Sequence, residues 1–454
     1  MRPMSLMELQ TPLEAHLHGI DTNIAGVSTD SRILHRGDLF VALRGDHFDG
    51  HDYVSQVEHG GASALLVSEK VAGSLPQLCV VDTQRALGLL GAYNRQLYRG
   101  PLVAITGSSG KTTVKNMLHA VFSRCGETLA TEGNFNNEIG VPLTLLRLRP
   151  EIEFAVVEMG AAKAGDIEWL CELARPTVAL LLNAMPAHLE GFGSVEGVAA
   201  AKGEIFDRLG ETGIAVINAD QPWAKQWRKR AGAASVLDFG LEQPAAISAR
   251  DVQGRGVDGI SFTASTPAGE MVMRLALPGV HNVANALAAI AVGLACEISL
   301  GDIRDGLQAL QPADGRLRSM RSPHGVSVID DCYNANPGSV RAAIDMLAAC
   351  SGRRTLVLGA MGELGSGSSN LHREVGEYAR AAGIDQLWGV GPELEICVDA
   401  FGAGGRHFAD RDALLSTLPG QLGEGDTVLI KGSRSAGMEL VLQALLPAPM
   451  VGEG

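Results

Sequence analysis

The sequence predicts an α/β protein of three domains: a small mixed α/β N-terminal domain, a central doubly wound domain, and a C-terminal domain wound in the same manner. Three observations carry this prediction. From Leu102 onward, continuous aliphatic runs alternate with amphipathic stretches, as parallel strands covered by helices on both faces do. Up to residue 98 there are instead short apolar runs broken by turns, and after Pro312 the alternation begins afresh. The composition agrees: only 4% of residues are aromatic while glycine numbers 56, which suits aliphatic strands whose turns expose bare backbone. The predicted boundaries are 1–98, 99–312 and 313–454.

In the first segment the apolar runs are Leu39–Leu43, Ala64–Val67 and Leu78–Val81. The polar insert from Arg44 to Asp52 between the first two cannot be a core strand, and reads as a solvated loop or a binding loop. In the second segment the strands are Leu102–Ile105, Phe154–Glu158, Val178–Asn183 and Ala215–Asn218. Val114, Met117, Leu118, Val121 and Phe122 share one face of a helix that starts after Thr112. Ile247–Asp251, Gly259–Thr263 and Met271–Leu277 read as antiparallel strands of a small appended sheet, closed by a helix from His281 to Leu294. The third segment has strands Val326–Ile329, Thr355–Leu358, Gln386–Val390 and Thr427–Ile430.

Several function classes are excluded by composition. A net charge of −14 without any Lys/Arg block argues against a nucleic-acid partner. No stretch is long and apolar enough to anchor the chain in a bilayer, and the N-terminus lacks a basic, apolar signal. The 7 cysteines are scattered with no C-x-x-C pair, which points to buried thiols in a reducing cytoplasm.

One motif carries chemistry by itself. Strand residues Val103–Ile105 run into Thr106-Gly107-Ser108-Ser109-Gly110-Lys111-Thr112-Thr113, followed at once by a helix. Glycines let backbone N–H groups converge on phosphate oxygens, and the helix N-terminus adds positive partial charge. Lys111 reaches the terminal phosphates and the Thr112 hydroxyl can ligate Mg²⁺, so the central domain reads as a P-loop ATPase domain. The spacing departs from the common P-loop, whose first glycine falls where Ile105 stands.

Ligands of open α/β sheets bind at the carboxyl ends of the strands. Glu158 and Asn183 end two strands there, and His188 and Lys202 follow on a loop and a helix. Each alone is an ordinary surface residue; together they converge beside the phosphate loop, with Glu158 the best direct ligand for Mg²⁺.

Seven motifs in order, from about residue 25 to 440, resemble the Mur ligases in the branch that adds a dipeptide. They are Thr106–Thr113, Gly133-Asn134-Phe135-Asn136-Asn137-Glu138-Ile139-Gly140, Ala187–Gly193, Ala201-Lys202-Gly203-Glu204, His281-Asn282-Val283-Ala284-Asn285-Ala286, Tyr333-Asn334-Ala335-Asn336-Pro337 and Lys431-Gly432-Ser433-Arg434. The family's shorter T-G-x-x-G-K-[ST] loop accounts for Ile105. Cys332 stands where serine is expected, and Ala313-Asp314 also depart from the pattern.

The resemblance implies an ATP-dependent ligase that joins D-alanyl-D-alanine to UDP-N-acetylmuramoyl-tripeptide through an acyl phosphate, in peptidoglycan precursor synthesis. It implies that Glu158 and His188 bind Mg²⁺, in one or two ions, and that Lys202 is carbamylated as in many members. Asn282 and Asn285 would meet the adenine. Arg316 and Asp330, from a Rossmann-like C-terminal domain, would close over ribose and phosphates. Thr29, Asp30, Ser31 and Arg32, with Arg44 and Asp46, would hold the uridine end, which makes Arg44–Asp52 a binding loop. Asn134, Asn137, Asn334, Lys431, Ser433 and Arg434 would contact the other substrates. A monomer in the cytoplasm is implied. The sister enzyme that adds a diamino acid carries an Asp-Asn-Pro-Arg segment absent here, and a guanine-reading Asn-Lys-x-Asp is absent too. Folylpolyglutamate synthases share the fold but not the Ala187–Gly193 and Tyr333–Pro337 runs.

Overall fold

The computed structural model describes residues 1–45, 47–186, 189–312, 315–362, 364–418 and 420–446, without the side chains of Leu189, Glu190 and Ser366. The assignments to Asp46, His188 and Ala313-Asp314 lie outside the described residues.

The N-terminal sheet has five strands in the order His16–His18, Gln77–Cys79, Ala64–Val67, Asp38–Val41 and Gly26–Ser28, the first pair antiparallel and the rest parallel. The insert after Val41 is a minimal ribbon, Arg44–Gly45 against Phe48–Asp49, followed by a 3₁₀ turn. Helix Thr83–Arg95 begins where the Asp82 carboxylate accepts from the N–H groups of Gln84 and Arg85. It buries Leu87 and Leu90 in the N-terminal core and docks its other face on the central domain. A Cβ on Gly91 would come 3.0 Å from Pro142 Cα, so backbone contact there needs glycine. The Asn94 side chain donates to the Leu145 and Leu148 carbonyls, which ties the two domains further.

The central sheet has nine strands. Thr128–Ala130, Phe154–Glu158, Leu102–Thr106, Val178–Leu181, Ile214–Asn218, Ser235–Gly240 and Ile247–Gly254 run parallel. Ile260–Thr266 and Gly269–Leu275 continue the same sheet antiparallel, so the separate appended sheet expected from the sequence is corrected. The reason is strand Ser235–Gly240, which pairs on both sides and bridges the two halves. Its Ser-Val-Leu-Asp-Phe-Gly sequence begins exposed and lacks an aliphatic run, and this hid it. Asn183 also lies beyond its strand, which ends at Leu181. Leu102–Thr106 lies between Phe154–Glu158 and Val178–Leu181, both later in the chain, so the winding reverses direction beside it and its carboxyl end is the switch point where such sheets bind ligands.

Two apolar layers cover this sheet. One is built on helices Lys111–Phe122 and Val280–Ala295, the other on Gly140–Leu146, Asp166–Ala174 and Val195–Gly203. Trp227 is fully buried in the second and donates from Nε1 to the Ala199 carbonyl at 3.0 Å, fixing the helix that carries Lys202. Trp227→Ala is expected to destabilise the central domain by about 3–5 kcal/mol, read as a lower urea midpoint.

The C-terminal sheet has six strands in the order Arg318–Arg321, Ser327–Asp331, Thr427–Lys431, Arg354–Gly359, Gln386–Val390 and Gly405–Phe408, parallel except for the first pair. Among the described residues no helix is long and apolar enough to cross a membrane.

Candidate active site

A cavity of about 920 Å³ lies at the switch point, walled by the central and C-terminal domains. The C-terminal domain reaches it through helix Pro337–Ala348, which has Pro337 in its first turn and a capping box between Asn336 and Ser339. A Cβ on Gly338 would lie 2.5 Å from Met185 Sδ, so the helix tip rests on the segment after Leu181.

The phosphate loop is braced from behind. Asn183 accepts from the Ser109 N–H at 2.9 Å and returns a bond from Nδ2 to the Ser109 carbonyl, while its own carbonyl accepts from the Ser108 N–H. Gly110, with φ of 86°, lies so near Asn285 that a Cβ would come 2.6 Å from Oδ1. Lys111 Nζ donates to the Gly107 carbonyl at 2.7 Å, folded over the mouth of its own loop. Burial holds its pKa below the ordinary lysine value, against the pull of Glu158 and with the push of Arg316.

Glu158 is buried at the end of its strand. One carboxylate oxygen accepts from the Thr112 hydroxyl at 2.9 Å and the other from Asn136 Nδ2 at 2.8 Å. Lys202 is buried as well, with Nζ 6.0 Å from the centre of the Phe192 ring. Burial first, and the Lys111 charge second, bring its pKa down to about 7. Among the described residues no three His, Cys, Asp or Glu side chains converge. A hard cation here would therefore draw on Thr112, Glu158 and the ligand's own phosphate oxygens, as Mg²⁺ does in nucleotide sites.

Asn282 donates to the Pro278 carbonyl and accepts from Asn285 Nδ2 at 3.0 Å, which leaves one amide donor and one acceptor site free for a base edge. Arg316 stacks on the Tyr333 ring at 4.1 Å. Lys431 is buried with bonds to Asp331 at 2.6 Å and to the Asn334 carbonyl at 2.9 Å. Its charge, after burial, helps hold His281 down to about 4, so that imidazole is neutral at pH 7.

Of the expected residues, Gly107–Thr113, Asn134, Asn137, Glu158, Lys202, Asn282, Asn285, Arg316, Asn334, Lys431 and Arg434 share the cavity wall. Asp330 and Ser433 do not. Asp330 accepts from the N–H groups of Gly315 and Cys332, which shapes the turn bearing Arg316, and Ser433 is buried behind Arg434. Thr29–Arg32 and Arg44 lie apart on the N-terminal domain. There Arg32 forms a two-pronged pair with Asp30, which drops the Asp30 pKa to about 2, and Arg44 pairs with Asp49 and Glu69. Sequence reasoning assigned no individual role to Asn136, Asp331 or Tyr333, and took His281 only as the start of the helix expected to meet the adenine. All four lie in or beside motifs already quoted, but only the contacts reveal what each holds.

Three family models match: the Mur ligase family catalytic domain over residues 23–88, the Mur ligase middle domain over 105–293, and the Mur ligase glutamate ligase domain over 315–434. The UDP-N-acetylmuramoyl-tripeptide–D-alanyl-D-alanine ligase of Escherichia coli K12 is 47% identical over 98% of this chain and 99% of its own. The chain belongs to the Mur ligase family. Solved Mur ligase structures superpose closely on it. MurF from Acinetobacter baumannii gives a TM-score of 0.93 at 35% identity, covering 98% of this chain and 99% of that one. MurF from Thermotoga maritima in complex with ADP gives 0.83 at 29% identity, covering 92% and 96%. With its three domains, this Mur ligase is an ATP-dependent ligase.

Proposed function

We propose that this Mur ligase joins D-alanyl-D-alanine to UDP-N-acetylmuramoyl-tripeptide at the expense of ATP, in peptidoglycan precursor synthesis. The carrying observation is a phosphate loop and a buried carboxylate facing a second domain's cationic wall across one cavity, in a chain nearly half identical to a ligase of that name. Residues 1–98 hold the UDP end, 99–312 the ATP, and 313–454 the dipeptide while closing over the nucleotide.

The chemistry follows from the leaving group. A carboxylate does not acylate an amine in water because hydroxide leaves poorly. The tripeptide's terminal carboxylate attacks the γ-phosphorus of ATP, and ADP departs with the bridging electron pair. The neutral amine of the dipeptide then attacks the acyl carbon, inorganic phosphate leaves, and the nitrogen loses a proton. Lys111 and Arg316 spread charge on the transferring phosphoryl group. Thr112 and Glu158 would hold Mg²⁺, which when bound would further neutralise the phosphates; by the family resemblance His188 and a carbamylated Lys202 would add ligands for one or two such ions. An ammonium cannot ligate a cation; a carbamate offers two oxygens. The Lys202 pKa near 7 supports this reading, since only the neutral amine reacts with CO₂. Asn282 and Asn285 meet the adenine, Asn134, Asn137 and Asn334 the tripeptide and acyl centre, and Lys431 and Arg434 the dipeptide, with Ser433 supporting Arg434 from behind. Closure of the C-terminal domain keeps water from the acyl phosphate. A nucleotide-linked substrate made inside the cell supports a cytoplasmic enzyme.

Phosphate release from ATP should require both UDP-muramoyl-tripeptide and D-alanyl-D-alanine, with the pentapeptide product seen by mass. Release with a single amino acid in place of the dipeptide would move the chain to a sister step. Thr29–Arg32 hold the uridine diphosphate, so Arg32→Ala should raise KM for the UDP substrate about tenfold and leave kcat unchanged. An unaltered KM removes that loop from the site.

A further inference from the structure

In the C-terminal domain a fully buried histidine, His372, lies outside every motif used above. Its two ring nitrogens have opposite tasks. Nε2 accepts from the Met361 backbone N–H at 3.1 Å. Nδ1 faces the Ser368 carbonyl at 2.9 Å, with the Ser368 hydroxyl at 3.3 Å. A backbone N–H can only donate and a carbonyl only accept, so the ring is the neutral tautomer with its proton on Nδ1. His372 thereby pins the start of the loop that follows strand Arg354–Gly359 to helix Ser368–Ala381.

The other side of that loop meets the proposed dipeptide groups. The Ala360 carbonyl accepts from the Ser433 N–H at 2.9 Å, and a Cβ on Gly362 would lie 3.6 Å from Ser433 Cβ. Ser433 adjoins Arg434, which lines the cavity. One continuous chain of contacts thus runs from the His372 ring through Met361 and Ala360 to the Ser433-Arg434 turn.

We propose that His372 is a positioning residue for the incoming dipeptide, acting through the Met361 N–H and the Ala360–Ser433 bond to hold Arg434 in place. This rests on the assignment of the dipeptide to the C-terminal domain. Arg434 is exposed, and no hydrogen bond or ion pair of its guanidinium is present among the described residues, so its placement depends on the backbone beneath it.

Two variants separate positioning from mere folding. A glutamine amide places its oxygen where Nε2 lies and can still accept from Met361; an asparagine amide reaches only the Nδ1 position. In steady-state assays of the full chain, His372→Asn is expected to raise KM for D-alanyl-D-alanine about tenfold, since it leaves the Met361 donor unpaired. KM for ATP and for the UDP substrate should stay within about twofold, and His372→Gln should restore the dipeptide KM. Equal behaviour of the two variants, or all three KM values rising together, overturns the proposal. Should His372→Asn not fold, hydrogen exchange on the unaltered enzyme decides. The 360–364 segment should gain protection when the dipeptide is added, and an unchanged rate there overturns the proposal. A wild-type enzyme whose phosphate release ignores the dipeptide instead overturns the functional assignment on which it rests.

Discussion

Lys111→Ala will lose at least about 3 kcal/mol of transition-state stabilisation, a fall of 10²-fold or more in kcat, because it removes a charged group aimed at the developing phosphoryl charge. The structure sharpens this expectation. Lys111 Nζ rests on the Gly107 carbonyl, inside the curl of the loop, so its charge is pre-placed at the phosphate position at little cost in reorganisation. Lys111 belongs to neither apolar layer, and among the described residues its ammonium makes one hydrogen bond, to Gly107. The variant should therefore keep its thermal midpoint while single-turnover phosphoryl transfer collapses. A Lys111→Ala enzyme with near-normal kcat would show that the loop does not hold the transferring phosphate.

Lys202→Met is expected to be less active by at least about 10–100-fold, the cost of losing even a group that only supports metal ligands, and yet no less stable. The stability half of this follows from linkage. Lys202 has a folded-state pKa of about 7, below the ordinary 10.5, because burial and Lys111 disfavour its charge. Between those two pH values the unfolded chain binds a proton that the folded chain does not, so the stability of the unmodified protein rises as pH climbs from about 7 toward 10.5. Below pH 7 the folded protein carries a buried, unpaired ammonium. Methionine fills similar space without the charge, so Lys202→Met should abolish that pH dependence and gain stability on the acid side.

The activity half turns on CO₂. Stripping CO₂ at pH 6 should lower the activity of the unmodified enzyme, and added bicarbonate at pH 8 should restore it, with intact mass rising by one CO₂. Activity and mass indifferent to bicarbonate, together with an active Lys202→Met, would leave Lys202 a packing residue.

The phosphate-loop pattern, the aliphatic strands beside it and the family were legible from the residues alone, because these depend on local pattern. Thr106–Thr113 between an aliphatic strand and an amphipathic helix has one physical meaning. Seven motifs in register are likewise legible without coordinates. The appended sheet was misread since strand Ser235–Gly240 is joined on both sides by tertiary pairing and carries no aliphatic run of its own.

Which polar residues line the cavity and which lie behind it depends on the whole fold. Lys111 and Lys202 are 91 positions apart in sequence, yet the fold brings the Lys111 charge close enough to lower the Lys202 pKa. Asp330 and Ser433 looked like ligand contacts, but packing turns them inward to hold the backbone beneath Arg316 and Arg434. His372 has no motif around it and acquires a role only where two loops distant in sequence meet. Burial and electrostatic proximity are sums over the whole fold, whereas a motif is a property of its few neighbours, and that is why the first kind of residue had to await the structure.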